Sequence, residues 1–212
     1  MKVLKLTTGP VGTNVWIVGD VRTREAIAID TATPSAHWLT QQLGDEGWNL
    51  RFIVSTHRHW DHSGDNADAV IATGATLSVH LLDRHGLEEP DPMSAPFPIP
   101  PSIPALDLAE GSRIRFGDID LTVLHTPGHT EGSVCLLSNE ERVLLSGDTL
   151  FAGGWGRTDL PGGDAEMMVD SLSRLSTLEP GLTVLPGHGP ETTIGREQPW
   201  LQAVAQERKL PF

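Results

Sequence analysis

Three imidazoles and a carboxylate fall within six residues in the segment Thr56-His57-Arg58-His59-Trp60-Asp61-His62. On an extended stretch, side chains two apart share a face, so His57 and His59 can grip one cation. Asp61 and His62 follow where the chain turns toward a helix, and can point at a second cation a few ångströms away. The chain has nine histidines in all, so three in one short segment is a concentration of ligands rather than scatter. Three more candidates share a single setting, the end of an apolar run beside glycine: His129 in LHTPGHTEGS, Asp148 closing RVLLSGD, and His188 in LTVLPGHGP. Strand ends of α/β sheets are where ligand sites gather. Any one of these taken singly reads as a turn, but four strand-end sites with metal-ligating chemistry do not. His/Asp clusters with room for water are the pattern of catalytic metal sites, whereas structural zinc favours closed, Cys-rich sets. The one cysteine, Cys135, excludes such a set and any intramolecular disulfide. It lies in an apolar strand with no neighbouring base, so a buried, inert thiol is expected.

Other positions carry weaker signals. His37, His80, His85 and His125 have no ligand context, although His125 lies only four residues before His129 and could support it. Thr56 and Thr130 flank ligands and are candidates to hydrogen-bond them.

The elements that must position these groups are short. VWIVGD (15–20) and EAIAID (25–30) predict a hairpin. Pro34 and Ser35 open a helix with Trp38, Leu39 and Leu43 on one face, ending near Gly44 or Gly47. RFIVST (51–56) reads as a buried strand, Asp65 to Ala72 as a helix stopped by Gly74, and TLSVH (76–80) as a strand. Residues 88–105 contain seven prolines, which excludes helix and inner strand. They read as an extended surface loop or as a stiff wall beside the site. The second half repeats the logic. Residues 114–126 predict two strands about a Gly-Asp turn. Strands follow at 133–138 and 142–148, a helix from Asp164 to Leu178, a strand at 182–188, and a last helix from Pro199 to Lys209. The expected fold is α/β, a four-layer αββα sandwich, forming one domain over residues 1–212 made of two similar halves.

Composition sets the outer bounds. At 212 residues, 38% hydrophobic and 20% charged, the chain has the make-up of a globular protein with a sizeable core. A formal net charge of −13 weighs against nucleic acid, which is met by basic faces. No apolar run is long enough to span a bilayer, and MKVLKLTTGPVGTN lacks the apolar stretch of a signal peptide. The expectation is therefore a cytoplasmic protein with no membrane and no nucleic-acid partner; its oligomeric state is unread.

The segment THRHWDH resembles the His-x-His-x-Asp-His motif of the metallo-β-lactamase superfamily, and the segments around His129, Asp148 and His188 resemble that family's remaining ligand motifs, in order. The likeness spans nearly the whole chain. It implies the αββα fold and two divalent metal ions, with zinc first and iron or manganese as alternatives. His57, His59 and His129 would hold the first metal, Asp61, His62 and His188 the second, and Asp148 would bridge them. Two adjacent cations bring the pKa of a shared water to about 7, so the resemblance implies attack by a metal-bridging hydroxide, with Asp61 holding it in line. GDTLF followed by GRTDLPGGD is similar to the glyoxalase-II-like branch, particularly its short members. In that branch the loop lies beside the metals, so Arg157 would meet an anionic substrate or fix the loop through Asp159. The implied function is a thioesterase cleaving a small acyl thioester such as S-D-lactoylglutathione. The alternatives are an iron-dependent persulfide dioxygenase, whose relatives carry a similar GRTD stretch, and a hydrolase of another small ester. Cys-ligated β-lactamases are set aside by Asp148, and so are B3 β-lactamases, which lack a bridging Asp. The chain departs from full-length type II glyoxalases in having no Tyr and little sequence after His188, so the metal chemistry carries over while glutathione recognition does not.

Overall fold

The computed structural model describes residues 1–211. The first part of the chain runs β1 (Lys2–Thr8), β2 (Thr13–Gly19), β3 (Glu25–Ile29), α1 (Ala36–Glu46), β4 (Asn49–Val54), the one-turn α2 (Trp60–Ser63), α3 (Asn66–Thr73), β5 (Thr76–His80), α4 (Arg84–Glu88) and β6 (Leu106–Leu108). The second part runs β7 (Arg113–Phe116), β8 (Ile119–His125), β9 (Val134–Ser138), β10 (Val143–Gly147), α5 (Ala165–Leu175), β11 (Thr183–Pro186), β12 (Thr192–Thr193) and α6 (Ile194–Glu207). Strands β1 to β6 form one sheet in chain order, and β7 to β12 form the other. Each sheet mixes antiparallel and parallel pairs. In the first, β1, β2 and β3 pair antiparallel, and β3 to β6 pair parallel.

The period-2 alternation of strands divides the apolar residues between layers. Trp16, Val18, Ile27 and Ile29 face the opposite sheet, where they meet Phe116, Leu121, Leu136 and Leu145. Their chain neighbours Ile17, Ala26 and Ala28 face the other way and pack with Leu39 and Leu43 of α1 and Ala69 of α3. On the second sheet, Cys135, Leu144 and Val184 face Met168, Leu172 and Leu175 of α5 and Leu201 of α6. The order is therefore helix, sheet, sheet, helix, with three apolar layers between. Strands covered on both sides read as continuous apolar runs, which is why β2 is buried along its whole length.

Local signals set most boundaries. α5 starts where the Asp164 carboxylate accepts the backbone N–H groups of Glu166 and Met167, satisfying donors the helix leaves open. α1 ends at Gly47 in the left-handed conformation, where a Cβ would be strained. Four elements have no counterpart in the sequence expectation. β1, α4, β6 and the two-residue β12 carry little apolar pattern; β1 alternates exposed and half-buried positions, as an edge strand does. The last helix begins at Ile194, not Pro199, because the Thr193 hydroxyl accepts the Arg196 N–H and starts it there. Pro199 therefore sits inside α6. Among the described residues, no helix is long and apolar enough to cross a membrane.

Pro199 removes the backbone donor that would meet the Gly195 carbonyl. An interior proline costs a helix about 3 kcal/mol, and restriction of the unfolded chain returns about 1 kcal/mol at most. Pro199→Ala is expected to raise stability by about 1–2 kcal/mol, read from the urea midpoint at unchanged slope. A lowered midpoint would contradict this.

Candidate metal centre

The segments leaving β4, β8, β10 and β11 converge on one place. His57, His59 and His129 form one group of possible metal ligands, Asp61, His62 and His188 a second, and His57, His62 and Asp148 a third that joins them; within each group the ligand atoms lie within 4.8 Å of one another. All seven residues singled out from the sequence are thus brought together. Asp148 stands between the groups. Its Oδ2 lies 3.5 Å from His129 Nε2 and 3.4 Å from His188 Nε2, and its Oδ1 lies 3.4 Å from His62 Nε2. Asp61 Oδ2 is 3.3 Å from both His62 Nε2 and His188 Nε2. His57 and His62 are fully buried beneath, while His59, Asp61, His129, Asp148 and His188 line an open cleft.

Three of the five imidazoles are turned by a partner on the outer side. The Thr56 hydroxyl meets His57 Nδ1 at 3.0 Å. His62 Nδ1 donates to Asp30 Oδ2 at 2.8 Å, and His129 Nδ1 donates to the Arg157 carbonyl at 2.7 Å. These outer bonds orient the three rings so that Nε2 faces inward, toward the other ligand groups. The Thr13 hydroxyl donates to Asp61 Oδ2 at 2.9 Å. Glycine permits the crowding at two points. A Cβ on Gly187 would strike Asp148 and His62, and one on Gly156 would strike the Asp148 carbonyl and the His129 ring.

The protonation pattern suits cations. Burial, followed by the charges of neighbouring imidazoles, holds His57 well below its ordinary pKa and His59 down at about 4. Burial likewise lowers His129. These rings are neutral and available as ligands. Burial also works against charge on His62, but Asp148, Asp61 and Asp30 outweigh it and raise that group well above its usual value. For Asp61, burial is outweighed by the His62 charge and the bonds from His188 and His62, which hold the carboxyl well below the usual range.

The donor set fits divalent metal ions. His57 Nε2 and Asp148 Oδ1 are buried without a hydrogen bond, the condition expected of atoms whose partner is a metal. Ligands about 2.1 Å from a tetrahedral zinc stand roughly 3.4 Å apart, and the contacts of the Asp61 and Asp148 carboxylates with His62, His129 and His188 span 3.3–3.5 Å.

Two carboxylates that the sequence reading passed over hold the centre in place. Asp30, in a left-handed conformation at the end of β3, accepts Thr56 N at 2.7 Å and the Thr56 hydroxyl at 3.0 Å as well as His62. The signal was present: EAIAID ends on Asp30 as RVLLSGD ends on Asp148. Asp83, fully buried, accepts Arg58 N at 2.9 Å, Arg58 Nη1 at 2.6 Å, the Thr130 hydroxyl at 2.6 Å and Gly132 N at 3.0 Å. It ties the His57–His59 loop to the His129 loop. Arg58 Nη2 adds a bond to the Pro161 carbonyl at 2.8 Å, which brings in a third loop. Thr56 thus supports a ligand, whereas Thr130 serves Asp83. His125 does not support His129; its ring stacks on His80 at 4.1 Å and meets the Glu131 carbonyl. Cys135 is fully buried, and burial pushes its thiol up to about 11. The Arg157 guanidinium lines the cleft and is gripped by both Asp159 oxygens at 2.7 Å. The proline-rich segment is a cleft wall, through Pro90, Met93 and Ile99, and Phe97 packs edge-on against Trp60 at 5.6 Å.

The family model of the metallo-beta-lactamase superfamily matches residues 8–188. The chain belongs to that superfamily, and its relatives include members of the glyoxalase-II-like branch. Hydroxyacylglutathione hydrolase GloC of Haemophilus influenzae is 31% identical over 173 residues, which cover 77% of this chain and 80% of that protein. Among solved structures, TTHA1623 in a di-iron-bound form is 36% identical with a TM-score of 0.82, covering 92% of this chain and 96% of that one. The B3 metallo-beta-lactamase BLEG-1 is 33% identical with a TM-score of 0.82, covering 94% and 99%. A protein named for the B3 subclass, which Asp148 argues against, therefore shares this fold and a third of the sequence.

The Arg58–Asp83 pair is buried, with side chains 12% and 0% exposed. Asp83→Ala is expected to cost about 3–5 kcal/mol, because it strands the guanidinium. Removing both groups, in Arg58→Ala with Asp83→Ala, should cost less than the two single changes summed. Strict additivity in the denaturation midpoints would contradict a coupled pair.

Proposed function

We propose that this protein is a dinuclear metal-dependent hydrolase that cleaves small acyl thioesters. The observation that carries the reading is the convergence of seven His and Asp side chains around two adjoining ligand groups at the foot of a cleft of about 860 Å³, a size suited to a small molecule. In this reading His57, His59 and His129 hold one ion, Asp61, His62 and His188 the other, and Asp148 both. Zinc is the first choice, and the di-iron relative keeps iron open. When bound, such a pair supplies Lewis acidity and lowers the pKa of water toward neutrality.

The chain's own residues do the rest. His57, His59 and His129 stay neutral, so they offer lone pairs without first losing a proton. Asp61, steadied by Thr13, accepts a hydrogen bond from the attacking water and keeps it in line with the acyl carbon. Asp148 is catalytic through its position between the two groups. The new bond is carbon to oxygen and the broken bond is carbon to sulfur; the products are a carboxylic acid and a thiol, and water supplies the thiol's proton. Arg157 reaches His129 through its main-chain carbonyl, while its guanidinium, held by Asp159, sets the loop at the cleft rim.

The test is hydrolysis of D-lactoyl thioesters, S-D-lactoylglutathione first, by protein stripped of metal and reloaded with zinc or iron. Loss of thioester absorbance with kcat on the order of 1–1000 per second, abolished by chelation and restored by metal, is expected. Two other outcomes would redirect the reading. Opening of a chromogenic cephalosporin without thioesterase activity would favour the chemistry BLEG-1 is named for. Oxygen uptake with glutathione persulfide would favour a mononuclear iron site on His57, His129 and Asp148, a pattern of two His and one carboxylate. Metal analysis tests the ligand roles separately. His57→Ala and His59→Ala should lose metal and activity while keeping the fold. Asp148→Ala should fall below one metal per chain, and retention of two full equivalents would sink the bridging role.

A further inference from the structure

We propose that the cleft selects thioesters whose leaving thiol is uncharged, and disfavours thioesters of glutathione. This rests on the thioesterase reading above and specifies its leaving group.

The walls beyond the ligands are largely apolar. Val11 comes from the β1–β2 turn, Met93 and Ile99 from the proline-rich segment, Phe151 and Leu160 from the segment after β10, and Trp60 from α2. Val11 is 53% exposed and Met93 90%. Apolar side chains left open to water around a cleft form a contact surface for an apolar partner. The prolines of 88–105 keep this wall stiff, and the Phe97–Trp60 contact pins it beside the ligand loop.

The charges point the same way. Glutathione carries a carboxylate at each end and one ammonium, so binding it calls for cations or free N–H groups at two places. Both arginines of the walls are engaged. Arg58 is held by buried Asp83 and the Pro161 carbonyl, and Arg157 by both oxygens of Asp159. None of the three lysines lines the cleft: Lys2 meets Glu46, Lys5 the Gly189 carbonyl, and Lys209 Glu207. His85 is the remaining basic side chain of the walls outside the ligand set. The proline-rich wall instead presents two carboxylates, Glu89 and Asp91. The Asp91 side chain accepts the Met93 N–H, while the Glu89 side chain has no hydrogen-bond or ion-pair partner among the described residues. A chain of net charge −13 adds a repulsive background for anions.

The experiment compares the D-lactoyl thioesters of glutathione and of N-acetylcysteamine on metal-loaded protein, each rate normalised to that ester's hydrolysis by hydroxide. The N-acetylcysteamine ester is expected to show kcat/KM about ten-fold higher, mainly through KM. Raising the salt should speed only the glutathione ester, since repulsion of an anion is screened. The double variant Glu89→Lys with Asp91→Lys should narrow the gap several-fold by raising kcat/KM for the glutathione ester; Glu89→Gln with Asp91→Asn should act in the same direction by less. Equal or greater efficiency with the glutathione ester would overturn the inference while leaving the thioesterase standing, and so would salt and charge responses shared by both esters. Cleavage of neither ester by the metal-loaded protein would overturn the thioesterase reading, and the inference with it.

Discussion

Seven imidazole and carboxylate groups crowded into one place cannot satisfy one another. His62 and His129 direct their Nδ1 protons outward, to Asp30 and to the Arg157 carbonyl, so their Nε2 atoms face the cluster. There they meet other ring nitrogens: His59 Nδ1 is 2.8 Å from His129 Nε2, and His188 Nε2 is 3.1 Å from His62 Nε2. Positive charge stabilises such an arrangement. Protons can supply some of it, as the raised pKa values of His62 and His188 show, and divalent cations supply more. The demand for charge at this point explains the rest of the architecture. Buried Asp30 and Asp83 act as struts, and glycine stands wherever a Cβ would enter the cluster.

The ligand set was legible in the sequence because four members cluster in one short segment after an apolar strand, and the other three each close an apolar run beside glycine. The layered fold was legible because short continuous apolar runs mark strands covered on both faces. What escaped was of two kinds. Edge elements such as β1 and β12 bury little, so they leave little pattern; their place is set by pairing with strands distant in sequence. Asp83 escaped because its importance comes from folding. Its four bonds reach Arg58, Thr130 and Gly132, and no local motif announces that convergence. The start of α6 was misplaced because proline was taken as a first-turn residue, whereas the Thr193 cap decides the boundary.

The scaffold and the cleft answer different questions. The superfamily match fixes the first: two sheets, two helical layers, and a His/Asp cluster at their shared end. Relatives as differently named as GloC and BLEG-1 fit the same chain, so the fold does not select the reaction's substrate. That choice lies with the turn carrying Val11, the proline-rich wall and the loop from Phe151 to Pro161. All three rise above the ligands, and the last is fastened from below through Arg58. Chemistry and specificity are thus carried by separate parts of the sequence, joined at one buried ion pair.

The most direct test of the central claim is anomalous scattering from crystals of the metal-loaded protein, collected at the absorption edge of the metal supplied. The account predicts two peaks, one among His57, His59 and His129 and one among Asp61, His62 and His188, with Asp148 between them. A single peak, or peaks away from these side chains, would contradict it.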